Sequence, residues 1–299
     1  MFGAFKFVRE ANKAGVKPII GCEFYLVKDR HKKSFLKSKG EKDRRYHQLL
    51  LAKNEKGYQN LSKMCSIGFI EGLYSKFPRI DMEIIRQYSE GIIATSCCIG
   101  AEIPQLLLHG KHEEAEKQLK GWLDIFGEDY YIELQRHRGL ENIDGIGRSQ
   151  EDINQLLLAL AIKHNVKVIA TNDSHYIEEE DWQPHDILLC VKDGEKQATP
   201  IGRGRGYRYG LPNQEYYFKS SEEMKELFKD IPEAIINIQE VIDKVETYTL
   251  ARDVLLPAFD IPEEFQFKED KLDGGKRGEN KFLRHITYEG AKIRYGDIT

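Results

Sequence analysis

Short apolar runs alternate with longer amphipathic stretches through the first two thirds of the chain, and no other feature narrows the fold as much. The runs VKPIIGCEFYLV, RYHQLLLAKN, GIIATSCC, DYYIELQRH and VKVIATNDSHY are short, bounded by turn residues and rich in strand formers. Between them, apolar residues recur three and four apart: Phe5, Val8 and Ala11, then Tyr58, Leu61, Met64 and Cys65 behind a capping Asn54. Asp81 starts a further helix that Tyr88 ends, and helices are predicted at 101–109, 111–126, 149–164 and 179–191. This alternation predicts an α/β fold on a mainly parallel sheet, open or closed into a barrel. Near residue 221 the texture changes. SSEEMKELFKD and PEAIINIQEVIDKVE read as two helices outside the sheet, the first with a capped start at Ser220 or Ser221 and Glu223. From about 251 an extended connector, a charged turn and a final helix, NKFLRHITYEGAKIRYG, complete the chain.

With 299 residues, 40% of them hydrophobic, the chain can bury a substantial core. No apolar run approaches the roughly 18 residues of a spanning helix, and charges interrupt the N-terminus, so neither a membrane span nor a signal peptide is expected. Five cysteines (Cys22, Cys65, Cys97, Cys98, Cys190) lack a CxxC pair, which points to reduced thiols and a cytoplasmic protein. The formal charge of −4 excludes a globally basic nucleic-acid wrapper. That sum hides a patch. Between Lys28 and Arg45, nine Lys/Arg face only Asp29, Glu41 and Asp43, so the segment carries +6. It reads as a long mobile loop, either a solvated hairpin or, through residues such as Lys32 and Lys33, a phosphate-contacting one. GRGRGYRYG at 202–210 offers Arg203, Arg205 and Arg208 among glycines and tyrosines, a composition suited to a single strand or to an ordinary flexible loop.

Metal-capable side chains recur at or near strand ends: Glu23, His47, Cys98, His137, Asp173 and His175. Carboxyl ends of strands carry the active sites of parallel α/β folds. Asp173 and His175 are the sharpest pair, because an i, i+2 spacing on extended backbone aims both the same way. A carboxylate, imidazoles and a thiolate together suit zinc or a mixed divalent cluster. Each also has a plainer reading: His47 as a half-buried strand residue, Cys97 and Cys98 as small core residues, Asp173 as a turn cap. The chain lacks GxSxG, HExxH, a GxxxxGK[ST] loop and any Asp-x-Asp pair of the kind that holds two magnesium ions.

In order, VKPIIGCEFYLV, HQLLLAKNEKGYQNLSKMCS, PRIDMEIIRQYSEGIIATSCCIGAEIP, YIELQRH and VIATNDSHY resemble the PHP (polymerase and histidinol phosphatase) domain of bacterial replicative DNA polymerases, the domain at the N-terminus of DNA polymerase III alpha subunits. NQEYYFKSSEEMKELFKDIPEAIINIQEV and LLPAF extend the likeness to nearly the whole chain. The resemblance implies a distorted β/α barrel, PHP-like over 1–250, with 251–299 a connector toward a palm domain. It implies metal ligands at Glu23, His47, Cys98, Asp173 and His175, with Cys98 preferred because Cys97 aligns with a glycine of the family motif; His137 is not among the family's ligands. The family's His-x-His and Asp-His-Gly would precede Met1-Phe2-Gly3, so the chain resembles an internal fragment whose barrel lacks its first two strands. The implied ions are zinc, manganese or magnesium, the implied partners are DNA and other holoenzyme subunits, and the implied chemistry is 3′-5′ phosphodiester hydrolysis, with no catalytic palm aspartate present. Two alternatives stay open: a free-standing PHP-type phosphoesterase, and an inactive structural module that braces the polymerase.

Overall fold

All five apolar runs form strands, joined by one that the sequence does not announce. In chain order they are β1 (Gly21–Leu26), β2 (Tyr46–Ala52), β3 (Arg79–Ile80), β4 (Ile92–Thr95), β5 (Tyr130–Gln135) and β6 (Val168–Thr171). The computed structural model describes residues 1–36, 40–202, 205–251 and 259–296. The helices are α1 (Ala4–Lys13), α2 (Glu55–Ile70), α3 (Met82–Gln87), α4 (Glu102–Leu108), α5 (His112–Phe126), α6 (Gln150–His164), α7 (Trp182–Asp193), α8 (Ser221–Leu227), α9 (Pro232–Lys244), α10 (Lys268–Asp273) and α11 (Arg277–Tyr295). Their starts follow local chemistry. Asn54 accepts a hydrogen bond from Gly57 N, Asp81 from Ile84 N, and Ser220 forms a reciprocal box with Glu223.

The strands form one sheet in the order β3-β1-β2-β4-β5-β6, which does not close on itself. It is mixed rather than mainly parallel: β2 runs antiparallel to both β1 and β4, while β1–β3, β4–β5 and β5–β6 are parallel. The reason lies in the connection. Among the described residues no helix separates β1 from β2, so the chain turns back beside the strand it has just left, whereas the parallel pairs are bridged by connections that contain helices.

β4 and β5 are buried at every position, because both faces of the sheet are covered. One face (Ile92, Ala94, Tyr130, Ile132, Leu134, Val168, Ala170) packs under α2, α5 and α6 through Leu61, Met64, Trp122 and Leu157. The other (Ile93, Tyr131, Ile169) packs on Val241 and Val245 at the end of α9. Removing a buried leucine or isoleucine from water stabilises such a core by about 1.5–3 kcal/mol per side chain. Close approach of backbones fixes α2: a Cβ on Gly57 would lie 1.9 Å from Gly91 O, and Gly91 has φ +72°.

The basic segment is the expected loop, anchored at both of its ends. Arg79, fully buried on β3, donates to Gly72 O (2.9 Å), to Asp43 Oδ1 (2.8 Å) and to the carbonyls of Arg30 (3.1 Å) and Lys32 (3.0 Å). Arg30 is itself buried against Asp81, Glu71 and Glu83. Lys37 and Lys39 lie outside the described residues.

The chain divides into two compact units, Met1–Leu250 and Ala251–Thr299. In the second, Phe282 packs against Phe259 and Phe265, and Arg277 pairs with Asp270 and Asp273 ahead of α11. Most of the expected connector, 252–258, lies outside the described residues. Among the described residues, no helix is long and apolar enough to cross a membrane.

Candidate metal centre

The reversal of β2 explains why a histidine at a strand's start joins residues at strands' ends. Running antiparallel, β2 brings His47 to the sheet edge where β4 finishes, and His47 N donates to Gly100 O (3.1 Å) just beyond it. The register sets Tyr25 opposite His47 and Glu23 opposite Leu49, so Glu23 and His47 share one face as diagonal neighbours. His47 Nδ1 lies 3.0 Å from Glu23 Oε1 and 3.4 Å from Cys98 Sγ. Gly100 permits this approach, since a Cβ there would sit 3.2 Å from the imidazole nitrogen.

Electrostatics follow from these contacts. The Cys98 thiol, taking a hydrogen bond from Cys97 and lying against His47, is held at about 6 although burial opposes the thiolate. Cys97 is pushed well above the usual thiol range, first by its hydrogen bond to Cys98 and then by burial. His47 is raised, chiefly by Cys98 and further by the charges of Glu23 and Asp173, which outweigh burial. Cys97 itself adopts a left-handed backbone, φ +57°, which turns the chain sharply after β4 and presents Cys98 to His47.

Asp173 and His175 follow β6. Asp173 also has a left-handed backbone, φ +52°, and His175 Nδ1 donates to Asp173 O (2.7 Å) while its ring meets Tyr216 and His185 edge-on. Among the described residues no hydrogen bond or ion pair joins Asp173 or His175 to Glu23, His47 or Cys98; the charge of Asp173 reaches His47 through space. Asn172 Oδ1, next to Asp173, is buried without a hydrogen-bond partner among the described residues. His137 is a satisfied core residue, 5% exposed, bonded through Nε2 to Asn172 O (2.9 Å) and through Nδ1 to Gln150 (3.1 Å), and stacked on Tyr216.

Beneath the cluster lies a residue that sequence reasoning missed. Glu133, buried on β5, accepts from Thr95 Oγ1 (2.6 Å), Gln135 Nε2 (3.0 Å) and Thr171 Oγ1, tying together the ends of β4, β5 and β6. Burial raises its pKa despite these donors. A glutamate inside an otherwise buried strand was the available signal.

The donor set of carboxylate, imidazole and lowered thiol fits zinc or a related divalent ion. Its gathering is incomplete: among the described residues no group of three or more His, Cys, Asp and Glu side chains is arranged to hold an ion.

The expected nucleic-acid contacts divide. Lys33 and Arg205 are exposed, and Lys32 is exposed while pairing with Glu41 at 3.0 Å. Arg203 lies outside the described residues. Arg208 corrects the expectation of a free phosphate contact. It is 5% exposed, bidentate to Asp186 of α7 (2.6 and 2.9 Å) and bonded to the carbonyl of Thr199 (2.8 Å), so its guanidinium holds the loop to the helix.

Comparison with known proteins places this geometry in context. Residues 1–137 match the PHP domain. Over its full length the chain is 40% identical to the DNA polymerase III subunit alpha of Borreliella burgdorferi and 36% identical to that of Treponema pallidum. It is 37% identical, over 99% of its length, to that of Thermus aquaticus. The aligned parts are 24%, 23% and 22% of those relatives, so the chain spans about a quarter of the length of the curated relatives it matches.

Proposed function

We infer, from the match of residues 1–137 to the PHP domain and the 36–40% identity of the chain to about a quarter of bacterial DNA polymerase III alpha subunits, that it forms the PHP portion of a replicative DNA polymerase. Its partners on this reading are DNA and the other subunits of a polymerase holoenzyme. Within it, Glu23, His47 and Cys98, with Asp173 and His175 beyond β6, hold divalent metal, zinc being favoured by the thiol, and the site hydrolyses the phosphodiester at a mismatched 3′ terminus.

The observation that carries this reading is the single nitrogen, His47 Nδ1, within 3.0 Å of a carboxylate and 3.4 Å of a thiol held at about 6. A bound divalent ion supplies polarisation of the phosphate and a lowered pKa for water. The chain's own residues do the rest. Glu23 orients the imidazole, Cys97 and then His47 favour the thiolate form of Cys98, and Glu133 fixes the strand ends through Thr95 and Thr171. Lys32, Lys33 and Arg205 remain available for phosphate contact. Template-directed synthesis is not expected of this chain, which contains no Asp-x-Asp pair.

A second reading, structural bracing without chemistry, is favoured by the incomplete gathering of donors among the described residues. Metal content after chelation and zinc reconstitution separates the two. Stoichiometric binding that Cys98→Ala abolishes, together with metal-dependent trimming of a mismatched 3′ end, supports the hydrolytic reading; a metal-free wild type that leaves the mismatch intact supports bracing.

A further inference from the structure

A groove of about 880 Å³ reaches His47 of the cluster, lined by Lys42, Arg44, His47, Gly100, Lys111 and Tyr209 among others. It joins the end of one basic segment to the other: Lys42–Tyr46 form one wall and Tyr209, from the Gly- and Arg-rich run, contributes to another. Its lining carries Lys42, Arg44, Arg45 and Lys111 against Asp43 and Asp144, a net charge of +2. Lys42 and Arg44 are exposed and have no ion-pair partner among the described residues, and Lys111 is tied only to the exposed Glu114 (2.8 Å). Two carboxylates also line it: Asp43, already committed to Arg79 and Arg45 at 2.8 Å each, and Asp144. Tyr209 is 57% exposed and offers a ring face. Unpaired or weakly paired cations beside an exposed aromatic ring are what a single nucleic-acid strand requires, phosphates on the former and a base on the latter.

We propose that this groove is the path by which a single strand of DNA reaches the strand-end cluster, with phosphates on Lys42, Arg44 and Lys111 and a base against Tyr209. The choice of DNA rests on the phosphodiester reading above; the groove itself does not. The roles of the two basic segments change accordingly: Arg30, Arg45 and Arg208 are spent within the fold, and the cations that matter lie at 42, 44 and 111.

The test is fluorescence anisotropy of the full chain with a labelled oligo-dT of about 12 nucleotides in EDTA, which separates binding from metal chemistry. The triple variant Lys42→Glu, Arg44→Glu, Lys111→Glu is expected to bind at least about 10-fold more weakly and to lower the log–log salt slope by about 2, three phosphate contacts being lost. Tyr209→Ala, which leaves charge unchanged, is expected to weaken binding about 10-fold without moving the slope. A charge-matched triple at exposed helical sites, Lys63→Glu, Lys117→Glu, Lys225→Glu, should stay within about two-fold of wild type. Equal losses in both triples, no detectable binding by the wild type at about 50 mM salt, or preference for duplex over single strand would each overturn the proposal. Groove-dependent binding in a chain that holds no metal would uphold the groove while removing the hydrolytic reading; metal-dependent trimming unchanged in the groove triple would do the reverse.

Discussion

Replacing Arg79 by methionine tests whether the basic segment is held by one buried cation. The guanidinium is fully buried and makes four hydrogen bonds, one to the Asp43 carboxylate and three to the carbonyls of Gly72, Arg30 and Lys32. Methionine fills most of the volume and makes none of them. Asp43, whose side chain is only 11% exposed, keeps Arg45 but loses its inner partner. Breaking a buried ion pair costs about 3–5 kcal/mol, and three guanidinium–carbonyl bonds at about 1.5–3 kcal/mol each make that figure a lower bound. Against a total stability of about 5–15 kcal/mol that is a large fraction, and in a unit of this length it lowers Tm by roughly 10 °C. Urea unfolding followed by the fluorescence of Trp122, buried in the core, measures it. Adding Asp43→Asn to Arg79→Met should restore about 1–2 kcal/mol, because part of the loss is a largely buried carboxylate left with one of its two cations. A single variant within about 0.5 kcal/mol of wild type would refute the anchoring role, and a double variant no more stable than the single would refute its electrostatic part.

Glu133 makes a pH-dependent contribution of known sign. Burial raises its folded-state pKa, so its stabilisation is present below the unfolded carboxylate pKa and is lost as pH rises through the folded value. Glu133→Gln should therefore gain in Tm relative to wild type as pH increases, and a difference that shrinks with pH would contradict this. In the metal-free protein, His47→Gln should move thiolate absorbance to higher pH, since His47 helps hold Cys98 at about 6; an unchanged titration would remove that coupling. Arg208→Met should make the chain more susceptible to limited trypsin cleavage at Arg205, and a cleavage rate unchanged from wild type would remove the anchoring role of Arg208.

The strands and helices were legible because each carries its own periodicity and several carry their own caps: Asn54, Asp81 and Ser220 act locally. Strand direction was not, since it depends on what connects two strands and not on what they contain. The hairpin reading of the +6 stretch was compatible with the antiparallel pairing of β1 and β2, but nothing showed that β2 would also pair antiparallel with β4 or that β3 would form at all. Glu23, His47 and Cys98 could be singled out as metal-capable residues near strand ends, and contact between them depends on that reversal. Arg208 looked free because its partner, Asp186, lies 22 residues earlier on a helix whose apposition no local pattern encodes. Glu133 was passed over because a period-based reading scores a buried strand by its apolar majority.

The contact between Gly57 and Gly91 bears on how variation in this protein should be read. Any side chain at 57 would overlap a carbonyl oxygen, and one at 91 would sit 2.4 Å from Asn54 Oδ1. In a library screened only for soluble expression, these two positions should be depleted as completely as any ligand position is in a screen for activity. Mutational intolerance would therefore mark the seam between α2 and β4 as prominently as the cluster around His47. Only a second screen, scoring function among variants that already fold, would tell steric closure from chemistry.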